Sequence, residues 1–345
     1  MIYLDARLLD DLETPGGLHR ALQRAIELEH ATLPTYLYSF YSLGNGNKEI
    51  ASLILSVILE EMLHFALACN TLNAVGGAPA IDKPEFIPKF PGHLPGGVES
   101  GLCVHLKQFS LNHVHDTFMV IEQPEHPLNF PALAAGEAKP LTIGEYYTRI
   151  EKKIEALSPG IFTGKKSYQV TGGGFPPSEL FPVIDLPTST QAIEIIKQQG
   201  EGTTTSPLDP EHELAHYYRF AEIWHGHKLV PVPNPPPGAP DDQKYRYDGP
   251  PIPFDPGKVL PVIGDPLQAK YPPSSQAHYL NQNFNYAYTS LLKALHITFN
   301  GQPNRLESAI GLMHSLRELA MEMMTVPFAD GVNAGPSFEY EPVNP

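Results

Sequence analysis

An ionisable pair sits where a helix should present only apolar side chains. Residues 48–75 place Ile50, Leu53, Ile54, Val57, Ile58, Phe65 and Ala68 at helical spacing, and Glu61 and His64 fall inside that stripe. Burying an ionised carboxylate there is costly unless it is paired or ligates a cation. Whatever fold the chain adopts must therefore bring partners to this face. A second Glu-x-x-His, Glu213-Leu214-Ala215-His216, lies far downstream. Two such motifs on two helices, plus one carboxylate from each of two others, are how a four-helix bundle holds a pair of metal ions. The plainer alternative is a buried Glu–His ion pair.

The motif alone is weak. In a chain of this composition about one match is expected by chance, and there are four: Glu27/His30, Glu61/His64, Glu213/His216 and Glu222/His225. Position on the helix separates them. Glu29 shares a face with Leu22, Ala25, Ile26, Leu33 and Tyr36. Glu27 points about 160° away and reads as solvent-facing. Glu213 and His216 align with Tyr217, Phe220 and Ile223, whereas Glu222/His225 is offset towards Tyr218 and Arg219 and reads as surface or as support behind the ligands. Tyr36 is either a core aromatic or a hydroxyl supporting a carboxylate ligand. The fourth carboxylate is expected from the third helix. Glu151, beside Tyr147 and Ile154, is the first choice, Glu145 the runner-up, and Glu122, in Val120-Ile121-Glu122-Gln123-Pro124, a competitor from the preceding loop.

The helices are read from periodicity and end signals. The first spans 15–43, opened by Thr14-Pro15, with Pro34 expected to kink it or loosen one turn. The second spans 48–75 and stops at Gly76-Gly77. The short Asn/Gly link between them predicts an antiparallel hairpin. The third spans 141–157, a short helix is a candidate near Thr190 to Gln199, and the fourth opens at Asp209-Pro210 and runs to about Lys228. Residues 276–299 and 304–325 form two more, and the tail from Pro327 is extended. The organisation expected is a four-helix bundle over 1–230 with an insertion at 78–139, a Pro-rich belt or linker at 231–273, and a helical pair over 274–345 packed on the bundle.

Composition narrows the function classes. A net charge of −15 argues against nucleic acid, whose phosphates it would repel. No apolar run predicts a membrane span, and the N-terminus lacks a secretory pattern, so a cytoplasmic protein is expected. Two cysteines, Cys69 and Cys103, are too few for a disulfide framework, a zinc ribbon or an iron–sulfur site. Carboxylate plus imidazole without thiolate suits iron, with manganese as the alternative. Neither a dinucleotide fingerprint nor a P-loop is present.

Leu28-Glu29-His30-Ala31-Thr32-Leu33-Pro34-Thr35-Tyr36, Glu60-Glu61-Met62-Leu63-His64, Thr142-Ile143-Gly144-Glu145-Tyr146-Tyr147 and Glu213-Leu214-Ala215-His216-Tyr217-Tyr218-Arg219-Phe220 together resemble the ferritin-like domain of the iminophenylpyruvate dimer synthases. The resemblance covers residues 15 to about 230. It implies a mainly α, ferritin-like four-helix bundle, with long loop excursions and a two-helix C-terminal addition. It also implies a metal-dependent oxidative role on a small organic substrate, with two iron ions on Glu29, Glu61, His64, Glu151, Glu213 and His216. Synthases of that type couple two imines of aromatic 2-oxo acids. The competing readings are a non-enzymatic binding or scaffold module and an iron-storage shell, the latter disfavoured by the excursions at 78–139 and 231–273. Substrate, metal identity and any homo-oligomeric state are left open by the sequence.

Overall fold

The structure, a computed structural model, describes residues 4, 6–96, 102–124, 141–201, 206–210, 212–236, 238–239 and 243–342. Residues 125–139 of the expected insertion lie outside these. Helix α1 (Pro15–Ser42) begins as its sequence predicts. The Thr14 hydroxyl accepts from the Gly17 N–H at 3.0 Å and Pro15 takes the first helical position. The helix continues through Pro34, whose ring forgoes one backbone hydrogen bond. Helix α2 (Lys48–Ala74) folds back on it, and this hairpin is the most extensive helix contact among the described residues.

Within the insertion, residues 111–121 form a helix, α3. Ser110 caps it by accepting from the His113 N–H at 3.1 Å, and its middle, Val114–Phe118, is wound as a π turn. Helix α4 (Ile143–Leu157) is capped by Thr142, and α5 (Leu186–Glu201) is longer than the short candidate expected there. Helix α6 (His216–His225) starts later than predicted. Asp209-Pro210 reads as a helix start, but the Asp209 carboxylate instead accepts from the Glu213 N–H at 2.8 Å, and Leu208 bridges Leu214. The local cap closes a turn, and the helix begins only beyond it. Helix α6 packs on α2 and α3, α5 packs on α2 and α4, and α4 reaches α1.

The Pro-rich stretch is a belt. Strand β1 (Val230–Pro231) pairs antiparallel with β2 (Tyr245–Arg246). The chain then crosses the outer face of α1: the Leu260 N–H donates to the Ser42 carbonyl at 2.8 Å and the Tyr38 hydroxyl to the Ile263 carbonyl. Asp265 accepts from the Leu106 N–H at 2.9 Å and meets the His105 ring at 2.7 Å. Helices α7 (Gln276–Phe299) and α8 (Leu306–Met323) follow as an antiparallel pair, and α8 touches α1. A small hairpin, β3 (Pro327–Ala329) with β4 (Val332–Asn333), leads into an extended tail. That tail lies along α7. The backbone N–H groups of Ser337, Glu339 and Glu341 donate in turn to Asn281, Asn285 and Thr289 at 2.9–3.0 Å. Four helical residues advance about 6.0 Å and two extended residues about 6.6 Å, so alternate strand donors meet successive helix turns.

Cys69 is buried and Cys103 exposed. Helix α2 is the one described helix long and apolar enough to cross a membrane, and over half of that stretch is buried within the protein. Its C-terminal end is held tightly by the loop after α4. The Gly164 N–H donates to the Ala74 carbonyl at 3.0 Å, and a Cβ at Gly164 would stand 1.7 Å from the Asn73 carbonyl oxygen. Gly164→Ala is expected to cost about 2–3 kcal/mol through this backbone clash, read as a lowered denaturation midpoint with an unchanged slope.

Candidate metal centre

Helices α1, α2, α3 and α6 converge on one buried cluster. Glu29 comes from the middle of α1, Glu61 and His64 from one face of α2, and His216 from the first position of α6. The third carboxylate is Glu122, the residue that ends α3. Glu61 Oε1 lies 2.9 Å from His216 Nδ1 and 3.9 Å from His64 Nδ1, so one oxygen faces both imidazoles. His216 Nδ1 is also 3.4 Å from Glu122 Oε2, and His64 Nδ1 is 3.6 Å from Glu29 Oε2. The rings stack with centroids 5.3 Å apart. One donor atom each from Glu61, His64 and His216 falls within 4.8 Å of the others, which is the spacing of a metal site.

A shell of hydroxyls fixes these acids. Tyr147 of α4 donates to Glu29 Oε1 at 2.5 Å, Thr32 donates to Glu61 Oε2 at 2.8 Å, and Tyr36 donates to Glu122 Oε1. Each carboxylate thus has one oxygen tied by an O–H group and the other turned inward. The imidazoles follow the same plan. His64 Nε2 is held by the Gln199 side-chain oxygen of α5 at 2.9 Å, and His216 Nε2 by Glu60 Oε2 at 3.1 Å. Arg219 donates to the other Glu60 oxygen at 2.6 Å. Outward N–H bonds of this kind set the tautomer and leave Nδ1 free to ligate.

The electrostatics follow from crowding acids in a dry site. Burial, the neighbouring Glu122 and Glu29 raise the Glu61 carboxyl to about 7, against the pull of His216. Burial alone would lower His216, but hydrogen bonds and charge from Glu122, Glu60 and Glu61 outweigh it and raise it well above the usual value. His64 is likewise raised by Glu29 and Glu61 despite its burial. Burial would raise Glu60, yet His216 and Arg219 hold it below the ordinary range. Without a cation, the cluster keeps protons.

Two expected ligands stand elsewhere. Glu213 precedes α6 instead of lying in its first turn; its side chain is 66% exposed and pairs with Arg219 at 3.3 Å. Glu151 turns towards α5, where it meets Lys197 at 3.8 Å, because α4 presents that face to α5 and not to the bundle centre. The contribution of α4 is the Tyr147 hydroxyl. Glu145, the runner-up, pairs with Arg149 on the surface side. Glu60 and Gln199 were not anticipated. Neither Glu60, whose ring partner His216 lies on another helix, nor Gln199 carries a sequence signal of its own. Glu222, read as surface, is buried and accepts from Lys228 Nζ at 3.0 Å and the Leu229 N–H at 2.8 Å, closing the end of α6. His30 packs in the core against Phe86, with the Tyr288 hydroxyl at 2.8 Å from Nε2, while Glu27 pairs with Arg24 as a solvent-side residue would.

A narrow cleft of about 60 Å³ reaches the cluster. Glu29, Glu61, His64 and Glu122 open onto it, between apolar walls that include Ile121, Ile143 and Ile196.

A sequence profile of the ferritin-like family matches residues 22–225, a span that contains every member of the cluster. The dichlorochromopyrrolate synthase of Lentzea aerocolonigenes is 26% identical over 96% of this chain, which spans 36% of that protein's length. A ferritin-like protein from Caulobacter vibrioides, known from a crystal structure, superposes with a TM-score of 0.58 at 22% identity, covering 94% of this chain and 97% of that one. At that identity the likeness shows the fold.

Proposed function

The chain belongs to the ferritin-like family, and from that premise we propose that it is a metal-dependent oxidoreductase whose two metal ions, iron before manganese, are held by Glu29, Glu61, Glu122, His64 and His216. One observation carries this reading: every acid in the cluster has one oxygen tied outward and one turned in, and both rings direct Nδ1 inward. The donor set fits the group. Oxygen and imidazole donors without thiolate suit iron or manganese, and three inward carboxylates offset most of the charge of two divalent ions.

Bound iron would supply oxygen activation at the floor of the cleft. The protein's own groups do the rest. The apolar walls take the body of a small organic substrate and exclude water. Thr32, Tyr36 and Tyr147 keep the acids aimed, and Gln199 and Glu60 keep the rings in the ligating tautomer. The first reaction to try is the oxidative coupling of aromatic imino acids that the synthase resemblance implies. The scaffold reading gives no reason for this many buried charges to converge, since buried charges without partners are rare.

Anaerobic loading of the purified chain with ferrous iron, followed by metal analysis, tests the reading. Two ions per chain are expected, and protein that retains neither iron nor manganese at any ratio would sink it. Tyr147→Phe should leave the fold intact and weaken metal binding about tenfold, because Glu29 loses the hydroxyl that aims it. Equilibrium dialysis against iron measures this.

A further inference from the structure

We propose that the two metal positions are unequal: the one on His216, Glu61 and Glu122 binds first and tightly, and the one on His64, Glu29 and Glu61 is the looser, substrate-facing position. This rests on the metal reading above. It follows from three differences between the halves of the cluster.

The first is the outer partner of each ring. His216 Nε2 meets a carboxylate, Glu60, at 3.1 Å, and His64 Nε2 meets the neutral amide oxygen of Gln199 at 2.9 Å. A hydrogen bond to a charged acceptor is about twice as strong as one to a neutral acceptor, and it makes the ring a better donor to a metal. Arg219 tempers the charge of Glu60 but also fixes its orientation, through 2.6 Å to Glu60, 3.0 Å to the Ser56 hydroxyl and 2.5 Å to the Leu214 carbonyl. Among the described residues Gln199 has no such clamp.

The second is the inner geometry. His216 Nδ1 already has carboxylate oxygens at 2.9 and 3.4 Å, and His64 Nδ1 has them at 3.6 and 3.9 Å. The first half is closer to a finished coordination shell, so less must move when an ion enters. The third is access. Carboxylates of both halves open onto the cleft, but of the two buried rings His64 lines it and His216 does not. An incoming substrate therefore meets the His64 ring first. Glu60 and Gln199 act through the rings and are positioning residues.

The test is an anaerobic calorimetric titration of the full chain with ferrous iron, repeated with cobalt(II) to follow its visible absorption. Two steps separated by at least tenfold in affinity are expected. Glu60→Gln should weaken the tight step about 10–100-fold and alter the spectrum of the first cobalt equivalent. Gln199→Glu, at a half-buried position that tolerates the change, should strengthen the loose step and alter the second equivalent. Two equal steps in the unaltered protein would overturn the inequality while leaving the metal reading intact, as would a Glu60→Gln effect confined to the loose step. Absence of binding in the unaltered protein would overturn both.

Discussion

Glu61→Ala is expected to remove both metal ions, leaving purified protein that binds no iron at concentrations saturating the unaltered chain. Glu61 Oε1 is the one carboxylate oxygen that faces both imidazoles, at 2.9 and 3.9 Å. Loss of an outer hydrogen-bond partner typically weakens a metal about 10–100-fold. Loss of an oxygen shared by both positions should exceed that for each. The fold itself should survive. Removal of the Glu61 carboxylate costs the contacts with Thr32 and His216 and opens a small void, but Glu60 and Glu122 still hold the His216 ring, so no buried charge is left unpaired. Metal analysis beside circular dichroism separates the two effects. Retention of one ion per chain would show that Glu61 serves a single position.

The metal-free and metal-loaded proteins should respond to pH with opposite signs. Glu61 binds its proton more tightly when folded, its value moving from the ordinary 4.5 to about 7. It therefore stabilises the fold fully below about pH 4.5, and that contribution is lost as pH rises through 7. His64 and His216 are also raised, so their contribution is complete below the usual histidine value and is lost as pH climbs through their folded values. All three act in one direction, but His30 and His113, lowered by burial to about 3 and about 4, act in the other up to the usual histidine value, so the metal-free melting temperature should fall between about pH 6.5 and pH 8. Metal must displace those protons, so its stabilisation grows over the same interval, by about 1.4 kcal/mol per pH unit for each proton released. Paired melting curves at fixed free metal check both signs. A metal-free protein whose melting temperature rises through this window would contradict the protonated cluster.

How much of this was legible depended on how local the cause was. Helices α1, α2 and α7 begin and end where caps and periodicity place them, because Thr14-Pro15 and Ser275 act on their own first turns. Glu29, Glu61, His64 and His216 were readable because each lies on an apolar stripe. Glu122 was seen only as a competitor, since the π turn at Val114–Phe118 shifts the face on which later residues emerge and breaks the 3.6-residue pattern. Such turns recur at functional sites, and this one aims the acid that the four-helix scheme had assigned to Glu151. Glu213 misled because Asp209-Pro210 has the chemistry of a helix start, while Leu208 and Leu214 pair to hold the chain in a turn. No local pattern reports a pairing of that kind, nor the α4–α5 contact that turns Glu151 towards Lys197.

The belt and the tail laddered on α7 bear on the order in which the chain can fold during synthesis. Tyr38 of α1 waits for Ile263, and Asn281, Asn285 and Thr289 wait for residues 337–341. The hairpin that carries Glu29, Glu61 and His64 emerges first, yet the part of its outer face under the belt stays bare until nearly two hundred further residues have left the ribosome. Nascent chains halted before residue 258 should therefore expose α1 to protease and to chaperones, and full protection should arrive only with the tail.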